Sequence, residues 1–184
     1  MNKKMIISGI AIATLVLFSI IWFGLYNVAA NDKHYALTLS LLEMVRDRSI
    51  KVRAEDIEIP ELDDPQQIKA GAVNYAQMCS GCHLAPGMSP TELHQGLYPQ
   101  PPNFSQPRHS HHTSADLFWV IKNGIKMTGM PAWSPAHTDQ QIWQMVAFIE
   151  QLDDISVEQY RQLTTPTDES GTTKHDSEHG VHSH

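Results

Sequence analysis

Cys79-Ser80-Gly81-Cys82-His83 is the stretch on which the reading of this chain turns. Two thiols three residues apart at the end of a helix can both reach the vinyl groups of one porphyrin. The next residue then aims an imidazole at the iron, so five residues supply both attachment and ligation. A structural zinc site needs two more Cys or His ligands at related spacing, and these are the only two cysteines present. A thioredoxin-like thiol pair belongs in a βαβ setting, whereas this pair follows a helical pattern and precedes a proline-rich stretch. The motif therefore predicts one haem c, bonded to Cys79 and Cys82 and held at the iron by His83.

Working outward, the flanking sequence reads as helix and loop throughout. Asp64-Pro65 opens a helix, with a capping side chain and proline at the first helical position, that runs through Ile68, Ala72 and Tyr75 towards Cys79. The stretch 84–107 holds Tyr98-Pro99-Gln100-Pro101-Pro102 and is expected to be irregular. A helix is expected over 114–123, capped by Thr113 or Ser114 and stopped by Gly124, with 125–135 irregular again. Thr138 and Gln141 form a capping box that starts a helix to about Leu152, with Ile142, Met145, Val146 and Ile149 as its apolar stripe. A short helix near 156–163 ends the expected domain, 64–163. The fold class is all-α. A domain of this size buries a limited share of its surface, and a covalent porphyrin would supply both staple and core.

A second axial ligand can come from several methionines. Met78 and Met145 fall within expected helices, and Met88 lies only five residues past His83. Met127 and Met130 remain, in the irregular segment Ile125-Lys126-Met127-Thr128-Gly129-Met130-Pro131. Gly129 frees the backbone before Met130 and Pro131 stiffens it afterwards, which favours Met130 as the aimed thioether. Methionine in that position closes the iron and raises its potential.

Gly71-Ala72-Val73-Asn74-Tyr75, Gly129-Met130-Pro131-Ala132-Trp133 and Val146-Ala147-Phe148-Ile149 accompany the cysteine motif. With them, residues 64–152 resemble the class I cytochromes c, in particular their single-domain bacterial branch. The resemblance implies a small helical domain wrapped round one haem, with His83 below the iron and Met130 above it. It implies that Gly71 and Tyr75 let the first and last helices cross closely, with Phe148 at the crossing. It also implies a proline carbonyl, Pro86, taking the other proton of the ligand imidazole. It does not account for residues 1–63 or for the histidines at the C-terminal end.

Residues 5–25 form an apolar run of roughly 31 Å as a helix, enough for a bilayer's hydrocarbon core. Its length favours an uncleaved transmembrane anchor over 1–30, although Val28-Ala29-Ala30 has the small residues of a signal-peptidase site. Lys3 and Lys4 on the cytoplasmic side would put the rest of a single-pass bacterial inner-membrane protein in the periplasm. The segment 31–63 reads as a helix over about 33–50, with Leu37, Leu41, Met44 and Val45 at helical spacing, then an extended strap through Ile57-Glu58-Ile59-Pro60. It is either a spacer or a strap packed on the main domain. From Thr164 the chain is polar, with Val181 its only aliphatic residue, and a disordered tail over 164–184 is expected.

His175, His179, His182 and His184 in that tail form a candidate site for Cu, Ni or Zn, and His109, His111 and His112 read as a polar loop. Trp119, Trp133 and Trp143 read as packing rather than as electron relays. Twenty Asp and Glu against 13 Lys and Arg give a formal charge of −7, which excludes nucleic acid as a partner and suits a basic redox protein. The expected function is one-electron carriage between periplasmic or membrane redox partners, with no enzymatic activity of its own. The alternatives are a cytochrome subunit of a membrane dehydrogenase or oxidase, and a redox-linked metal-handling protein that uses the tail.

Overall fold

The computed structural model describes residues 2–107 and 112–165, and every regular element among them is an α-helix. The chain divides into two units, 1–45 and 46–184.

In the first unit, α1 (Lys3–Trp22) is apolar on every side and buries none of its residues. Its 20 residues make a rod of about 30 Å. The next helix, α2 (Ala36–Ala54), begins three residues later than the leucine spacing predicts and runs four residues further. In the first unit its Leu37, Leu41, Met44 and Val45 are exposed.

In the second unit α2 ends with Ile50 and Ala54 buried. The chain then extends, and Ile57 and Leu62 pack half-buried against the hydrophobic core. Six helices follow: α3 (Pro65–Met78), α4 (Ser80–His83), α5 (Glu92–Gly96), α6 (Ser114–Asn123), α7 (Asp139–Ile149) and α8 (Val157–Thr164). All of them except α4 start at a local side-chain cap. Asp64 accepts from the Gln66 N–H at 2.9 Å ahead of Pro65. Thr113 with Asp116, Thr138 with Gln141 and Ser156 with Gln159 each close a reciprocal capping box. Gly124 ends α6 at φ +68, where a Cβ would stand 2.7 Å from the following loop's backbone.

The core forms where α3 crosses α7. A Cβ on Gly71 would lie 1.9 Å from the Gln144 carbonyl oxygen, so the two backbones touch where the side chain is missing. One turn on, Tyr75 and Phe148 meet edge to face at 5.3 Å, both fully buried. Ile142, Met145, Val146, Ile149 and Leu152 complete this side of the core. α6 closes another side by stacking Phe118 on Trp143 at 4.2 Å, and α8 packs on α3.

The stretch 84–107 is not wholly irregular. Thr91 caps α5 by accepting from the His94 N–H, a helix too short to show a periodic pattern in sequence.

Candidate haem-binding site

α3 hands the chain directly to the cysteine motif. Cys79 caps α3 in a helical conformation, its N–H still bonded to the Tyr75 carbonyl at 2.9 Å. The single turn α4 follows, with the Cys82 and His83 N–H groups both donating to the Cys79 carbonyl. Leu84 then leaves at φ +59, a left-handed turn that a side chain of its size seldom adopts. The buried Tyr75 hydroxyl secures that turn by donating to the Leu84 carbonyl at 2.7 Å.

Both cysteines are half-buried. Burial pushes the Cys79 thiol up to about 12, and Cys82 beside it adds to the shift. A thiol held neutral is a poor zinc ligand and a slow thiol-exchange nucleophile. No three His, Cys, Asp or Glu side chains gather into a cation site among the described residues. The donor set thus suits thioether attachment of a porphyrin better than metal–thiolate chemistry.

The His83 ring is fixed from two sides. It stacks on Phe104 at 4.7 Å, and its Nδ1 donates to the Pro102 carbonyl at 2.9 Å. A carbonyl only accepts, so the proton sits on Nδ1 and Nε2 keeps a bare lone pair. Burial lowers the His83 pKa, the Pro102 hydrogen bond opposes that, and His94 lowers it further. A neutral imidazole with a free Nε2 is the form that ligates a metal. The partner is Pro102 and not Pro86. The acceptor is a proline carbonyl as expected, but it comes from the far end of the loop, which folds back so that the Phe104 N–H reaches the His83 carbonyl at 3.3 Å.

The segment after α6 carries the two remaining methionine candidates, Met127 and Met130. The Ile125 N–H donates to the Met130 carbonyl at 3.1 Å, Thr128 Oγ1 donates to the Ile125 carbonyl, and the Met130 N–H returns to Thr128 Oγ1. Trp133 and Ser134 tie the loop's end to α6 through the Ile121 and Lys122 carbonyls. Within this turn the two methionine candidates separate. Met130 is half-buried against the core, whereas Met127, at φ +60, is 99% exposed. Met145 is fully buried in the core, and Met88 lies on the surface. Trp133 and Trp143 pack against the core and Trp119 is half-buried.

Phe104, Pro102, Thr91 and His94 escaped the sequence reading. Thr91 carried a local signal, a capping residue before a short polar stretch, but the other three are brought in by tertiary folding of a proline-rich loop. His109, His111 and the tail histidines lie outside the described residues, and His112 is exposed.

Residues 66–149 match a family model described as cytochrome C oxidase, cbb3-type, subunit III. No curated protein matches the chain. The match begins one residue into α3 and ends with α7, so it spans the crossing, the cysteine motif and the Met130 loop. Residues 66–149 are therefore a c-type cytochrome domain of the monohaem cytochrome c family, and its cofactor is a covalently attached haem c.

Proposed function

We propose that this chain is a membrane-tethered one-electron carrier in which Cys79 and Cys82 would hold the haem covalently and His83 and Met130 would hold its iron. One observation carries this reading: the Pro102 carbonyl holds the Nδ1 proton of His83, leaving Nε2 bare. Met130, half-buried on a hydrogen-bonded loop, supports the second ligand, while Met127 is turned to solvent. When bound, the haem supplies a one-electron couple.

The chain's own residues hold geometry. Phe104 and Pro102 fix the plane of the His83 ring, and the Thr128 turn fixes the approach of Met130. Two protein ligands leave no open position for a substrate, which favours carriage of electrons over catalysis. The 20-residue apolar helix α1 suits a bilayer span. Lys3 and Lys4 on its N-terminal side orient the domain towards the periplasm of a bacterial inner membrane. The acidic balance suits a basic face on the electron donor or acceptor.

The description of the matching family favours a second reading, a cytochrome subunit of a membrane oxidase. Native purification in mild detergent separates the two: a carrier migrates alone, a subunit brings its complex with it.

Ligation is tested with Met130→Ala and Met127→Ala. The oxidised wild type and Met127→Ala should show the near-infrared sulfur-to-iron charge-transfer band, and Met130→Ala should lose it. Survival of the band in Met130→Ala would overturn the assignment.

A further inference from the structure

A helix end leaves its last carbonyls without intrahelical donors, and the one-turn α4 has hardly any interior to offset this. After the Leu84 N–H closes on the Ser80 carbonyl, four successive carbonyls follow, those of residues 81–84. Each receives a donor from elsewhere in the fold. Thr91 Oγ1 donates to Gly81, His94 Nδ1 to Cys82 at 2.8 Å, the Phe104 N–H to His83 and the Tyr75 hydroxyl to Leu84. One of these donors comes from α5, which packs against α4, and one from its N-cap Thr91. Thr91 Oγ1 also accepts from the His94 backbone N–H at 3.0 Å, so the Thr91 side chain is tied to the main chain that carries His94. His94 is only 8% exposed, and because a carbonyl only accepts, its Nδ1 carries the proton.

We infer that Thr91 and His94 form a clamp that orients the attachment turn, and through it the ring of His83. The Gly81 and Cys82 carbonyls lie in the two peptide planes flanking Cys82, and the second of these planes ends at the His83 nitrogen. Holding both planes fixes the direction in which the Cys82 and His83 side chains leave the backbone. Pro102 and Phe104 then fix the rotation of the ring itself. Thr91 and His94 act on the backbone carbonyls of the turn and are positioning residues. The inference rests on the haem attachment and His83 ligation proposed above.

Four full-length, haem-loaded proteins test it: the wild type, His94→Phe, Thr91→Val and Thr91→Ser. His94→Phe keeps bulk and removes the donor, Thr91→Val removes the hydroxyl at constant shape, and Thr91→Ser restores it. The readouts are haem retained on the denatured chain, the haem-methyl proton shifts of the oxidised protein, which follow the axial-ligand planes, and the reduction potential. His94→Phe and Thr91→Val should shift the methyl resonances and the potential, and Thr91→Ser should match the wild type. Wild-type shifts and potential in both His94→Phe and Thr91→Val would overturn the clamp and leave His94 as packing. If His94→Phe does not mature, the Thr91→Val and Thr91→Ser pair decides by the same criteria. A wild-type chain without covalent haem would instead overturn the haem reading itself.

Discussion

Gly71 stands where one absent methyl group lets two helices touch. A Cβ there would meet the Gln144 carbonyl oxygen at 1.9 Å, and the opposing atoms belong to helix backbone that has little room to move. Gly71→Ala should destabilise the haem-loaded protein by about 3 kcal/mol, read as a lower denaturant midpoint at unchanged slope. Gly81→Ala, with nothing within 4 Å of the added atom, should leave the midpoint within about 0.5 kcal/mol of wild type. The crossing was legible from Gly71, Tyr75 and Phe148 through their resemblance to the class I cytochromes c. The cysteine motif was legible by itself, because its chemistry is contained in five consecutive residues. Pro102 was not, since nothing within the loop says which of its prolines returns to His83. That choice is made by the stack of Phe104 on the ring.

Among the elements, those with capping chemistry matched their sequence expectation most closely. Thr113, Thr138 and Ser156 start their helices within a residue or so of where they were expected, because a cap acts through hydrogen bonds to its own first turn. α5 has a cap as well, at Thr91, but five residues are too few for a hydrophobic period and the helix also relies on its contacts with α4. α2 ran past its expected end because Ile50 and Ala54 are buried, which extends the helix beyond what its leucines alone specify. α1 is the element with the most direct physiological consequence. A predominantly apolar helix of twenty residues with none buried should partition into a bilayer and stay there. The mature protein is expected to keep residues 1–30, to resist carbonate extraction from membranes, and to become soluble when 1–30 are deleted. N-terminal sequencing that begins at Asn31 would contradict this.

The whole molecule carries a cytochrome domain, an apolar helix and a histidine-rich segment. His175, His179, His182 and His184 are spaced for several neutral imidazoles to wrap one ion. Full-length protein should take up Cu(II), a chain ending at Thr165 should not, and the haem spectrum should be the same in both. Uptake should weaken below about pH 6 as the imidazoles gain protons. Equal uptake by both forms would move the site to His109, His111 and His112. The central claim, a single covalent haem closed by two protein ligands, is tested most directly by a reductive optical titration of the full-length protein in detergent, followed by carbon monoxide. One reversible one-electron transition is expected, with low-spin spectra at both ends and no change when carbon monoxide is added. A high-spin oxidised form, or a reduced form that binds carbon monoxide at once, would contradict it by showing an open coordination position.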